Sequence, residues 1–257
     1  MKIAIIGVGK MGAWLADLLS KNYEVAVFDL DGEAVRKLKR VTVLDEIGDL
    51  SGFGPDLLVN AVSLENIIQA FDAALPHIPP RCIISDIASI KNSLEDYYKK
   101  SGFEFASVHP MFGPTFAKMD ELGEKHAVII KESGTRGADF FKALFSGLSL
   151  NIFEYNFEEH DKMMAYSLSL PFASSMVFAS CVDPAAVPGT TFGKHKKIAR
   201  GVLMEDDHLL SEILFNPFTE YELERVIDAL GHLRELVKSG AHDRAGEFFD
   251  KLRENLG

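Results

Sequence analysis

Cysteine is nearly missing from this chain: there are two in 257 residues, Cys82 and Cys181. They lie far apart, lack metal-ligand spacing and sit in apolar runs, so a disulfide framework is excluded, no metal site is expected, and buried, reduced thiols in a cytoplasmic setting are the natural reading. Positive charge is also short. Against 38 Asp and Glu there are 27 Lys and Arg, a net charge of −11, so neither nucleic acid nor an anionic membrane surface is attracted to the chain as a whole. Any anionic ligand must be held by a local group of cations. Long apolar runs are absent as well. Lys10 and Asp17 interrupt the N-terminal one before it reaches secretory length, and no uninterrupted stretch of about 18 apolar residues offers a membrane span.

What is present is a globular composition, 47% hydrophobic and 25% charged, in a chain long enough for two modest domains. Up to about residue 153, short apolar runs rich in Val, Ile and Phe alternate with longer amphipathic stretches. The runs at 2–6, 24–28, 41–44, 57–62, 82–84, 104–108, 127–130 and 150–153 read as strands, and 11–20, 31–39, 64–75, 90–100 and 138–148 read as helices. That alternation is the pattern of repeated βαβ units, an α/β fold with a doubly wound parallel sheet of the Rossmann type. Residues 154–257 differ: Leu223, Val226, Ile227, Leu230, Leu233 and Val237 recur at helical spacing, and 160–181 is apolar nearly throughout. The expected division is therefore a dinucleotide-binding domain over 1–153 and an all-helical domain over 154–257. The apolar 160–181 segment would be either a core helix or a dimer interface.

Gly7-Val8-Gly9-Lys10-Met11-Gly12 follows the first strand and opens the first helix, the context that gives a Gly-x-Gly-x-x-Gly pattern its meaning. Gly7 permits the tight turn, Gly9 lets backbone approach a pyrophosphate, and Gly12 lets helix pack on strand, with Lys10 and Met11 in the first helical turn. The second strand ends in Asp29. A carboxylate there binds the adenosine ribose hydroxyls and repels a 2′-phosphate, so NAD is expected over NADP. Val62 and Ser63, at the end of the fourth strand, are further candidates for cofactor contact. The bland alternative is a glycine turn without a ligand.

Two more segments fall at carboxyl ends of strands, the rim where ligands of open parallel sheets bind. Ser85-Asp86-Ile87-Ala88-Ser89-Ile90-Lys91 offers Asp86 to the cofactor and Ser89 to a substrate, and Ser107-Val108-His109-Pro110-Met111-Phe112-Gly113-Pro114 brings His109 to the nicotinamide end. A histidine is well matched to taking a hydroxyl proton near neutral pH during hydride transfer. His109 could instead be a structural turn residue, and Ser89 a helix cap.

At these residues the chain resembles the prephenate and arogenate dehydrogenases of tyrosine biosynthesis. The run from His109 to Pro114 carries most of the likeness, supported by the Asp-x-x-Ser-x-Lys run from Asp86 to Lys91, by the glycine loop, and by His160-Asp161-Lys162-Met163-Met164-Ala165. The resemblance implies oxidative decarboxylation: hydride leaves C4 of a cyclohexadienol ring for NAD, C1 loses CO2, and the ring becomes aromatic. It implies that His109 accepts the C4 hydroxyl proton, that Ser89 bonds the same hydroxyl or orients His109, that Gly113, Pro114 and Thr115 line the substrate, and that the helical domain forms a homodimer.

A dianionic substrate needs cations, and Lys194, His195, Lys196, Lys197 and Arg200 form one dense group. The family places a carboxylate-binding arginine before a stretch resembling Met204-Glu205-Asp206-Asp207. Here Gly201 aligns with it, with Arg200 one residue earlier and Lys197 reached by another gap placement. Arg200 is preferred because its planar fork matches a carboxylate; a solvated basic helix face is the alternative. A histidine usual in the preceding helix is replaced by Phe172, after Pro171. Other readings of the same glycine loop are a β-hydroxyacid dehydrogenase or a pyrroline-carboxylate type of reductase, or a non-catalytic NAD sensor. Neither requires the His109–Pro114 run.

Overall fold

Strands buried on both faces need apolar runs, and β1 (Lys2–Ile6), β2 (Glu24–Phe28) and β4 (Leu57–Asn60) supply them, while β5 (Ile83–Asp86) starts on two isoleucines and ends in buried Ser85 and Asp86. The computed structural model describes residues 1–112, 125–205 and 207–257. Among these, β3 (Thr42–Val43), β6 (Phe105–Pro110), β7 (His126–Ile130) and β8 (Asn151–Tyr155) complete an eight-stranded sheet in the order β3-β2-β1-β4-β5-β6-β7-β8. The first six strands are parallel, in the order of a dinucleotide-binding sheet. β7 departs from the all-parallel expectation: it runs antiparallel to β6, with His109 opposite Val128, and β8 is parallel to β7.

Helices cover both faces. One core holds Leu15 and Leu19 of α1 (Lys10–Leu19) with Phe141 and Phe145 of α6 (Thr135–Gly147). The other holds Ile67 and Phe71 of α4 (Leu64–Ala74), Leu94 and Tyr98 of α5 (Leu94–Ser101) and Phe157 of α7 (Phe157–Met164). The short helices α2 (Gly32–Arg36) and α3 (Leu50–Phe53) lie within the connections around β3. The expected helix over 90–100 starts four residues late. Lys91 is drawn into a buried network and Ser93 takes a left-handed φ of 65°, so helical backbone begins only at Leu94.

The chain divides into two compact units, one of residues 1–164 with 207–216, the other of residues 165–206 with 217–257. This differs from a cut at residue 153, which would split β8 from the hydrogen bonds it makes with β7 as far as Tyr155 and would strip buried Phe157 from its core. Helix α10 (Asp207–Leu214) also belongs to the first unit, where Glu212 Oε1 accepts the Leu64 N–H at 2.6 Å.

The second unit contains a π-helical turn (Ala165–Ser169) and helices α8 (Leu170–Ser180), α9 (Thr190–Val202), α11 (Thr219–Ser239) and α12 (His242–Leu256). Thr219 Oγ1 donates to Ser169 Oγ at 2.9 Å within it. Of the two readings of 160–181, the core helix does not fit α8, where Ala173 is the buried residue and Val177 is 52% exposed. The stripe on α11 is likewise open, with Ile227 65% and Val237 75% exposed. Cys181 is exposed too, whereas Cys82 is buried and its thiol is pushed up to about 12 by burial and by the Asp56 charge. By length and composition the helical stretch Phe157–Ser180 could cross a membrane. Its first turns, however, place His160 and Met164 in the core of the first unit.

Candidate active site

The glycine turn is built by two different pressures. Gly7 has φ +89°, and a Cβ there would lie 2.6 Å from the Val62 nitrogen; a Cβ on Gly12 would stand 2.0 Å from the Gly7 carbonyl oxygen. Both glycines are therefore required by the fold itself. Gly9 is different, with an ordinary φ of −65° and nothing within 4 Å of where its Cβ would be. The space in front of it, at the first turn of α1 with Lys10 and Met11, suits a pyrophosphate on a helix N-terminus. Asp29 closes the same loop: its carboxylate accepts the Val8 N–H through Oδ2 and the Asp31 N–H through Oδ1 at 2.8 Å. Val62 backs the turn, and its N–H is held by Asn60 Oδ1 at 3.3 Å; Ser63 precedes α4 and accepts from Asn66 Nδ2 at 2.8 Å.

Asp86, expected at the cofactor, is occupied by protein partners. Its side chain is fully buried, pairs with Lys91 Nζ, and accepts from Tyr98 Oη at 2.7 Å and from the Ala88 N–H at 2.9 Å. Lys91 Nζ also donates to the Val108 carbonyl at 2.8 Å. Desolvation pulls the Lys91 ammonium below its ordinary range and the Asp86 charge opposes that fall; burial and the same charge push the Tyr98 phenol well up. The Asp-x-x-Ser-x-Lys spacing is hence a pin through the base of the loop that carries Ser89. Ser89 itself is half-buried and hydrogen-bonds neither His109 nor any other described residue.

His109 sits near the end of β6, 5% exposed, and its orientation comes from elsewhere. Its Nδ1 lies 3.1 Å from His160 Nε2, and His160 Nδ1 lies 2.8 Å from Asp161 Oδ1. The Lys91 N–H donates to the same Oδ1 at 2.8 Å, and Asn216 Nδ2 holds the Asp161 carbonyl at 2.8 Å. Burial, then the His160 and Lys91 charges, keep His109 well below the usual histidine range. Burial and Lys91 bring His160 down to about 3, while burial lifts Asp161 to about 6 against the opposing pull of Lys91. The ring that can act chemically is a neutral one with Nε2 free of protein partners among the described residues. Sequence reasoning missed the roles of His160, Asp161, Lys91 and Asn216. The His160-Asp161 pair was visible as a motif, but only the fold brings it to His109.

In the second unit, Arg200 and Lys197 are both exposed on α9. Arg200 lines a cavity of about 280 Å³ together with Lys196, Ala179, Val182, Leu203 and Met204, and Lys197 does not. Phe172 is half-buried on α8. Gly113, Pro114, Thr115 and Asp206 lie outside the described residues.

The family model for the prephenate dehydrogenase nucleotide-binding domain matches residues 17–149. A curated relative from Methanocaldococcus jannaschii, described as a probable arogenate/prephenate dehydrogenase, is 23% identical over 276 residues, which take in 96% of this chain. The chain spans 58% of that relative's length. Among solved structures, prephenate dehydrogenase from A. aeolicus, in complex with hydroxyphenyl propionate and NAD+, superposes with a TM-score of 0.85 at 18% identity, covering 99% of this chain and 96% of that one. Synechocystis arogenate dehydrogenase gives a TM-score of 0.75 at 17% identity, covering 100% and 98%. At such identities the structural likeness speaks for the fold.

Proposed function

This chain belongs to the prephenate dehydrogenase family, and from that premise we propose that it is an NAD-dependent oxidoreductase that decarboxylates prephenate to 4-hydroxyphenylpyruvate in tyrosine biosynthesis, in the cytoplasm. The observation that carries this reading is His109, buried at the carboxyl edge of β6 with Nδ1 committed to His160. An imidazole so held has Nε2 left for the C4 hydroxyl. The nicotinamide ring, when NAD is bound, supplies the hydride acceptor. Gly7, Gly9, Lys10, Met11 and Gly12 hold the pyrophosphate, Asp29 the adenosine ribose, and Val62 and Ser63 flank the cofactor from the β4 loop.

Proton removal at His109 lets the C4 carbonyl develop as hydride departs, and the C1 carboxylate leaves as CO2 with its bonding electrons entering the ring. Aromatisation drives the step, so the protein chiefly supplies position and a dry base. Ser89 hydrogen-bonds the C4 hydroxyl rather than His109. Arg200 pairs with a substrate carboxylate, an assignment supported by its place on a cavity that Lys197 does not line. The open apolar faces of α8 and α11 support a homodimer through the helical unit.

Arogenate is the second substrate reading, favoured by the double description of the M. jannaschii relative. The test is formation of reduced nicotinamide, followed by absorbance, with prephenate or arogenate and with NAD or NADP. Turnover of prephenate with NAD supports the reading; turnover of arogenate alone replaces the substrate, and preference for NADP refutes the role of Asp29. A protein that binds NAD and turns over neither substrate would be the sensor.

A further inference from the structure

Three polar groups of the first unit form an unbroken file: His109 Nδ1 to His160 Nε2 at 3.1 Å, then His160 Nδ1 to Asp161 Oδ1 at 2.8 Å. With Asp161 ionised, His160 must donate from Nδ1, so its Nε2 is bare and accepts the His109 Nδ1–H. That leaves His109 Nε2 as a lone pair. Protonating Asp161 reverses every bond: the carboxyl donates to His160 Nδ1, His160 Nε2–H donates to His109 Nδ1, and His109 carries its proton on Nε2. One proton therefore separates an arrangement able to accept from one able only to donate.

Resting on the reading of His109 as the base, we infer that the proton taken from the substrate comes to rest on Asp161, passed through His160 while both imidazoles change tautomer. The balance is simple. The hydroxyl proton bonds to His109 Nε2, the His109 Nδ1 proton moves to His160 Nε2, and the His160 Nδ1 proton moves to Asp161 Oδ1, with hydride leaving for the nicotinamide. No imidazolium is left behind in a site that burial makes hostile to one. In the serine-protease triad the carboxylate stays ionised because its histidine is the stronger base. Here the order is reversed, since burial drives both histidines down and raises Asp161 to about 6. The groups facing Asp161 fit that role: the Lys91 N–H and ammonium attract its charge, buried Asp86 repels it, His160 bonds it, and Asn216 fixes its backbone. His160 and Asp161 act only through His109 and are positioning and relay residues.

The decisive experiment is nitrogen NMR of histidine-labelled protein without ligand, the two rings being assigned with His109→Asn and His160→Asn variants. At pH 8 both rings should carry hydrogen on Nδ1, and on acidification through about 6 both should become Nε2–H tautomers while remaining neutral. An Nε2–H tautomer of His109 at pH 8, or an imidazolium forming over that range, would overturn the relay. In turnover, Asp161→Asn should lower kcat by about 10²-fold or more and remove the acid limb of the pH profile. NAD affinity, read from the fluorescence of Trp14, which packs against Phe112, should stay within twofold. An Asp161→Asn enzyme with near-normal kcat also overturns it, and if that variant does not fold the tautomers of the unaltered protein decide. Correct tautomers in a protein that oxidises no cyclohexadienol would remove the substrate reading and leave the wiring intact.

Discussion

A Cβ added at Gly12 would collide with the Gly7 carbonyl, whereas one added at Gly9 would touch nothing. Gly12→Ala should therefore cost about 1–3 kcal/mol of stability by overpacking, measured by chemical denaturation. Gly9→Ala should lose less than about 1 kcal/mol, the difference between two helix N-caps, yet weaken NAD binding about tenfold, roughly 1.4 kcal/mol. Equal losses of stability in the two variants would contradict the division between a glycine required by packing and one required by a ligand. Lys91 is a sharper case, because its ammonium lies fully buried on Asp86. Lys91→Met strands that carboxylate without its cation, and a loss of about 3–5 kcal/mol is expected. His109→Asn should instead leave the melting temperature near normal and cut kcat by about 10²–10⁴-fold; full turnover would return His109 to a turn residue.

At the scale of elements, α7 is the piece that joins fold to chemistry. It starts where β8 ends, buries Phe157 in the core and delivers His160 and Asp161 to the side of β6. Its two buried titrating groups, His160 and Asp161, oppose one another in acid. His160 is lowered from 6.5 to about 3, so between those values the unfolded chain binds the extra proton and stability falls as pH falls. His109, lowered for the same reason, adds to that loss. Asp161 is raised from 3.8 to about 6, so there the folded state binds the proton and stability is lost as pH rises through 6. Two histidines outweigh one carboxyl, and the unfolding free energy should decline from pH 7 to pH 4. In His160→Gln the decline should be shallower by about one proton of linkage; an unchanged slope would place the acid sensitivity elsewhere.

For the whole molecule, the amphipathic stripe of α11 is fully formed yet largely uncovered in the single chain. Sedimentation should find a dimer, and replacing Ile227 and Val237 together with Glu should shift it to monomers. A monomeric parent protein at working concentration would remove the dimer and leave those apolar faces unexplained.

Local pattern alone determined most of the first unit. Strand runs, the glycine turn and Asp29 are legible because each depends on residues close in sequence, where backbone sterics and side-chain period act directly. The helix over α11 was legible for the same reason, but not which surface would cover it, since periodicity reports a face and not its partner. The reversal of β7 and the late start of α5 were decided by contacts between distant segments. So was the site's inner wiring: His109 and His160 are 51 residues apart, and Lys91 and Asp161 are 70. Hydrogen-bond direction and buried charge arise only when such groups share a dry interior, which is why His109 could be singled out from its motif as the candidate base while its partners could not.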